Sequence, residues 1–232
     1  MEVHHEAAAP PVQGTRQVTR DAASVASTSM GTEVDIVLFD LGGVLIDFGG
    51  VAPMRELSGI DSDDELWRRW LTCRWVRSFE RGDCTPEEFA AGVVSDWELP
   101  IDADEYLDSF ANWLGGPIDG AGELVHATRA VVPVGCLSNT NALHWDHHFA
   151  RWPLLDGFDH RFLSFELGLL KPDRELFERV AELLPYPAER ILFLDDNTLN
   201  VDGATAAGFT AVQVRGVAEA EAALVAAGVL AG

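Results

Sequence analysis

The sequence predicts an α/β protein built on a doubly wound parallel sheet, with a helical segment inserted after its first strand. Three observations predict this. Apolar runs recur at Val34–Phe39, Val131–Leu137 and Ile191–Leu194, and they suit strands buried on both faces. Segments of helical period separate the runs, so strand alternates with helix and right-handed crossovers lay the strands parallel. Each run also ends on polar side chains: Asp40, then Ser138-Asn139, then Asp195-Asp196. Parallel strands align their carboxyl ends along one edge, where open α/β sheets place their chemistry.

Taken in order, Val34–Phe39 delivers Asp40 into the pair Gly42-Gly43. Both glycines can adopt backbone angles closed to other residues and let the chain wrap around a bound group. Read alone, Asp40 is either a nucleophile or metal ligand, or merely a helix-capping residue. The stretch before the second strand reads as helices. Ser62 caps one, with Glu65 three residues on, and Leu66, Trp67, Trp70 and Leu71 follow at helical spacing. Thr85-Pro86 opens a second helix. Asp102–Leu114 forms a third carrying Tyr106, Phe110 and Trp113, and no strand pattern interrupts the three. Trp67, Trp70, Trp75, Trp97 and Trp113 either line a sugar site or pack a small helical core.

Beyond them the pattern predicts a helix over 119–130, the second strand, and another helix after Asn139. A short strand over Phe162–Phe165 and a helix with Pro172 in its first turn come next. The Asp195-Asp196 strand leads into a helix over Val201–Ala207 that Gly208 ends. Thr210–Val214 is the last strand and Ala218–Ala227 the last helix.

Four segments carry a resemblance. Phe39-Asp40-Leu41-Gly42, the run Ser138-Asn139-Thr140-Asn141-Ala142-Leu143-His144, Lys171-Pro172, and Phe193-Leu194-Asp195-Asp196-Asn197 stand in this order. Together they resemble the haloacid dehalogenase superfamily, closest to its α-D-glucose-1-phosphate phosphatase-like branch. Glu80-Arg81-Gly82-Asp83 followed by Phe89 is also similar to a run common in that branch. The resemblance implies a Rossmann-like core over 33–48 and 117–232, a helical cap over 49–116, and a tail over 1–32 that composition predicts to be disordered. It further implies a magnesium-dependent hydrolase of small phosphomonoesters, among them sugar phosphates such as a hexose 1-phosphate.

In that reading Asp40 attacks phosphorus and forms an aspartyl-phosphate, which splits one hard hydrolysis into two transfers. Lys171 pairs with Asp40 and with the transferring group. Ser138 and the Asn139 backbone N–H bind phosphoryl oxygens, with Lys171 beside them. Asp40, the Gly42 carbonyl and Asp196 hold Mg²⁺, and Asp195 binds through water or holds its neighbour. For Asp195-Asp196 the plainer alternative is a helix N-cap, and for Lys171 an exposed lysine. One departure matters. Most phosphatases of the superfamily carry a second Asp two residues after the first, as general acid and base, where this chain has Gly42. Asp47 is the nearest carboxylate that could substitute, or it stabilises its turn. Two other readings stand: a metal-independent 2-haloacid dehalogenase, and a catalytically weak member that binds a phosphorylated ligand.

Composition sets limits. Asp and Glu outnumber Lys and Arg by 38 to 16, for a formal net charge of −22. Such a surface repels nucleic acid and anionic membranes, so the expected partner is a small phosphorylated metabolite. The surface also repels phosphate, so the pocket needs a positive charge of its own. Cys73, Cys84 and Cys136 lack close spacing, which fits neither a disulfide framework nor a zinc site and suits the reducing cytosol. No segment is long enough to span a bilayer. The first thirty residues lack the pattern of a secretion signal or presequence, Met30 is an alternative start, and His4 and His5 read as solvated. A monomer or a homodimer is expected.

Overall fold

The computed structural model describes residues 33–232, so the expectations for the tail, His4, His5 and Met30 lie outside the described residues. From the amino end, β1 (Ile36–Phe39) leads to β2 (Ile46–Phe48) and then to five helices: α1 (Val51–Ser58), α2 (Asp63–Thr72), α3 (Arg74–Glu80), α4 (Pro86–Trp97) and α5 (Ala103–Ala111). β3 (Leu114–Pro117) and α6 (Ala121–Arg129) return the chain to β4 (Val134–Ser138). There follow α7 (Ala142–His147), β5 (His160–Leu163), α8 (Ser164–Leu167), α9 (Arg174–Leu183), β6 (Ile191–Asp195), α10 (Thr198–Ala206), β7 (Thr210–Gln213) and α11 (Gly216–Ala226).

Five strands form one parallel sheet in the order β5-β4-β1-β6-β7. β1 is therefore central, and the chain departs from it to both sides, which makes its carboxyl end the switch point of the sheet. Side chains alternate between faces at a period of two. Val37, Phe39, Val134, Cys136, Leu192 and Leu194 pack with residues of α6 and α11 on one side. Ile36, Leu38, Leu137, Ile191 and Phe193 meet Leu176, Phe177 and Val180 of α9 on the other. Burial on both faces explains why these strands read as unbroken apolar runs.

Helices α1–α5 enclose an apolar cluster of their own. Their starts are fixed locally: the Ser62 and Asp102 side chains accept from the amides of Glu65 and Glu105, and Thr85 and Glu88 form a reciprocal capping box. The cluster is aromatic. Trp70 lies against Phe89, Trp97, Phe110 and Trp113 with ring centroids 5.7–6.4 Å apart, and Phe79 stacks on Phe89 at 4.5 Å.

Two expectations and one alternative are corrected. The helix expected to run to Leu114 stops at Ala111, and Leu114–Pro117 pairs antiparallel with Ile46–Phe48. Gly115 and Gly116 disfavour helix, and together the two short strands form a ribbon at both connections of the helical segment. Pro172 is not in the first turn of a helix. The Lys171-Pro172 peptide is cis, Asp173 is the N-cap, and α9 begins at Arg174. The residue capping the helix after Asp195-Asp196 is Asn197, whose side chain accepts from Leu199 N. Among the described residues no helix is long and apolar enough to cross a membrane.

Phe89 is fully buried at the centre of this aromatic cluster. Phe89→Ala should cost about 3–5 kcal/mol of unfolding free energy. Urea denaturation followed by Trp fluorescence measures it, and a loss below about 1 kcal/mol would show the cluster to be loosely packed.

Candidate active site

Asp40 follows β1 directly, Ser138 is the last residue of β4, and Asp195 is the last of β6. Because β4 and β6 flank β1, the three strand ends are neighbours along one edge. They open onto a cavity of about 350 Å³ whose lining includes Asp40, Ser138, Asn139, Lys171 and Asp196 at one end. Phe48, Val51, Trp67, Leu71 and Leu114 line it toward the helical segment.

Lys171 holds the polar end together. Its Nζ lies 2.8 Å from Asp40 Oδ1 and 2.7 Å from Asp195 Oδ2, and donates to the Leu137 carbonyl at 3.1 Å. All three ammonium protons are thereby used. The alternative of an exposed lysine fails, because the side chain is 1% exposed. Burial alone would depress its pKa, but Asp195 and Asp40 outweigh burial and hold the ammonium protonated well above the usual lysine range. Asn139 fixes the lysine's backbone: its Oδ1 accepts from Lys171 N at 2.9 Å and its Nδ2 donates to Lys171 O at 3.0 Å. The Asn139 side chain is thus a brace.

The two adjacent carboxylates have different surroundings. Asp195 is fully buried and accepts from Lys171 Nζ, from Asn197 N at 2.8 Å, and from Asn200 Nδ2 at 3.0 and 3.1 Å. Its lone pairs are taken. Asp196 is partly open to the cavity, and its own backbone amide is the one hydrogen-bond donor to its carboxylate among the described residues. Asp40 Oδ1 accepts from Leu41 N at 2.7 Å as well as from Lys171, which leaves Oδ2 without a partner among the described residues. Burial, with Asp195 and Asp196 nearby, raises the Asp40 pKa against the pull of Lys171. Burial and Asp195 also raise that of Asp196.

One oxygen each from Asp40, Asp195 and Asp196 lie within 4.8 Å of one another. Of these, Asp40 and Asp196 have raised pKa values and open lone pairs, and they are a donor set for a hard cation such as magnesium. Only one of the two glycines needs its special freedom. Gly43 has φ +73°, and a Cβ there would lie 2.4 Å from Asp196 Oδ2. Gly42 has an ordinary φ, and a Cβ on it would meet nothing within 4 Å.

A family model for haloacid dehalogenase-like hydrolases matches residues 34–208. The chain belongs to the haloacid dehalogenase-like hydrolase family. The phosphatase MT3486 of Mycobacterium tuberculosis (strain CDC 1551 / Oshkosh) is 30% identical over 78% of this chain and 87% of its own. An (S)-2-haloacid dehalogenase of Pseudomonas fluorescens is 26% identical over 74% and 80%. Among solved structures, a HAD family enzyme of Bacteroides thetaiotaomicron in complex with magnesium and inorganic phosphate superimposes with a TM-score of 0.63. It is 23% identical and covers 78% of this chain and 94% of its own.

Within this hydrolase the structure adds residues that sequence reasoning passed over. Glu80, the last residue of α3, lines the same cavity as Asp40 and Lys171. His144 stacks on Phe110 at 4.3 Å and its Nε2 donates to the Phe110 carbonyl at 2.8 Å. Burial holds this imidazole down to about 4, so it stays neutral. His148 Nε2 donates to the Ala111 carbonyl at 2.6 Å, and the two rings tie α7 to the end of α5. The signal for both was in runs quoted only for resemblance. Of the five tryptophans, Trp67 and Trp70 line the cavity while Trp75, Trp97 and Trp113 do not. Asp47 lies on β2, exposed at the cavity rim, where Gly115 leaves it room.

The two glycines should respond differently to one methyl group. Gly43→Ala forces a strained φ and displaces Asp196, so activity should fall about 100-fold or more, whereas Gly42→Ala should fold normally. Steady-state rates and circular dichroism of both variants check this; equal rates would contradict the close approach of Gly43 to Asp196.

Proposed function

We propose that this hydrolase is a magnesium-dependent phosphatase of small phosphomonoesters, acting through an aspartyl-phosphate on Asp40. The observation that carries the reading is the division of labour around Lys171. Asp40 has one oxygen fixed and one open, Asp195 is fully engaged by the lysine, Asn197 and Asn200, and Asp196 is bonded by its own amide and faces the cavity. Asp40 and Asp196 would then hold the metal with the Gly42 carbonyl, and Asp195 would position Lys171. Magnesium bound there supplies neutralisation of the phosphate charge that lets an anionic carboxylate approach phosphorus.

The chain's own residues do the rest. Ser138 Oγ and the Asn139 N–H orient phosphoryl oxygens, and Lys171 favours the ionised form of Asp40 against burial and points it at phosphorus. Asp40 Oδ2 attacks, the leaving oxygen departs, and water then cleaves the acyl phosphate and frees Asp40. Among the described residues Lys171 is the sole lysine or arginine lining the cavity, so they offer no partner to a leaving group with a second phosphate. An uncharged leaving group of hexose size or smaller suits a cavity of about 350 Å³, with the C–H face of a sugar ring against Trp67 and Phe48. A 2-haloacid would instead need a free cation for its own carboxylate, and all three Lys171 protons are engaged. Free thiols at Cys73, Cys84 and Cys136 suit the cytosol as the place of action.

A panel of phosphorylated metabolites assayed with magnesium, with a chelator, and beside a 2-haloacid tests the reading. Phosphate release should stop on chelation, Asp40→Asn should abolish it with the fold retained, and Asp196→Ala should raise the magnesium requirement sharply. Halide release indifferent to the chelator would select the dehalogenase, and silence throughout the binding member.

A further inference from the structure

Gly42 leaves the phosphatase reading without a proton for the leaving oxygen, and the same cavity is lined by a carboxylate that no hydrogen bond or ion pair uses among the described residues. Glu80 closes α3 and lines the cavity with Asp40 and Lys171. Among the described residues no polar side chain or amide pairs with its carboxyl group. A residue at position 42 would project into open space. That space is where the missing acid would reach, and it opens onto the cavity that Glu80 also faces.

The placement of Glu80 is built rather than incidental. Arg77 and Arg81, on either side of it, both donate to Asp173 Oδ2 at 2.9 Å. Asp173 lies two residues after Lys171, so the end of α3 is moored to the loop that carries the lysine. Gly82 has φ +75°, and a Cβ there would come 2.8 Å from the Phe165 carbonyl, so the chain after Glu80 runs hard against the segment following β5. The neighbouring arginines turn outward to Asp173, and Glu80 turns to the cavity.

We propose that Glu80 is the general acid and base of this hydrolase, supplied by the helical segment in place of the carboxylate missing at Gly42. The proposal rests on the phosphatase reading. In the first step the Asp40 oxygen–phosphorus bond forms and the ester P–O bond breaks. The electron pair stays on the leaving oxygen, which takes the Glu80 proton. In the second step water bonds to phosphorus, the acyl P–O bond breaks back to the Asp40 carboxylate, and the proton of water returns to Glu80. The sum is ester plus water to alcohol plus phosphate, with Glu80 restored.

Its surroundings suit the role. Burial raises the Glu80 carboxyl to about 7, against the pull of Lys171 and Arg77 and with a push from Asp40. The other charged or titratable groups on the cavity are Asp47, Asp196 and the neutral His144. Asp47, the other carboxylate outside the metal group, is exposed on the rim.

Glu80→Gln tests this at saturating magnesium with a simple alkyl phosphate and with 4-nitrophenyl phosphate. Turnover of the alkyl ester should fall by about 10²–10⁴. With the aryl ester, whose oxygen leaves unaided, the variant should give a burst of about one nitrophenolate per enzyme and then slow turnover, as water attack loses its base. Asp40→Asn should give no burst. The folded carboxyl binds its proton up to about pH 7 and the unfolded one only to about 4.5, so its ionised form destabilises the fold at alkaline pH. Glu80→Gln should therefore raise Tm over the parent at pH 8, with the gain vanishing below about pH 4.5. Equal losses on both esters without a burst, parent-like rates on both, or no Tm gain would overturn the assignment. A parent inactive on both esters would instead overturn the phosphatase reading itself.

Discussion

The site depends on one buried ammonium. Lys171 is reached by two carboxylates and a carbonyl, and it draws together the ends of β1, β4 and β6 through Asp40, Leu137 and Asp195. A lysine taken out of water this completely is stable only with full compensation, and removing one partner of such a group costs about 3–5 kcal/mol. Asp195 supplies part of that compensation, and its other lone pairs are filled by Asn197 N and Asn200 Nδ2. The arrangement explains why two neighbouring aspartates differ. Asp195 is occupied with structure, whereas Asp196 faces the cavity.

The helical segment is registered on this centre by side chains from the same loops. Asp173, just past Lys171, holds Arg77 and Arg81 of the α3 end, while His144 and His148 of α7 hold the last carbonyls of α5. The loop that positions Lys171 and the helix that follows Ser138-Asn139 thus also set where Glu80, Trp67 and Phe110 lie over the cavity. A shift of either helix end would reshape this side of the cavity without touching Asp40.

Much of this was legible in the sequence, and the failures have physical causes. The central strands β1, β4 and β6 announce themselves because both faces are apolar, and the edge strands β5 and β7 were read from shorter patterns, with ends displaced by a few residues. Asp40, Ser138, Lys171 and Asp195-Asp196 stood out because each ends an apolar run or neighbours proline. The ribbon of β2 and β3 did not, since Leu114–Pro117 contains two glycines and a proline and carries no alternation. The start of α9 was misplaced because proline suits a helix's first turn as well as the residue before an N-cap. Glu80 was invisible as chemistry. A glutamate at the end of a helix between two arginines reads as a solvated charge, and only the tertiary placement of Asp173 turns it inward.

Charge is the remaining constraint. The chain carries −22 overall, and its cavity is lined by Asp40, Asp47, Glu80 and Asp196 against Lys171, whose protons are spent. On the proposed reading a phosphate monoester would bring a dianion into that surplus. A divalent cation held by Asp40 and Asp196 would offset part of it but would leave the charge of Glu80. Burial bears on that part: it raises the Glu80 carboxyl to about 7, and in its protonated form the group would present no charge to the dianion and would keep a proton for the departing oxygen. The same desolvation would make the group both tolerable to such a substrate and useful to it, and a neutral carboxyl can sit in this cavity without a charged partner.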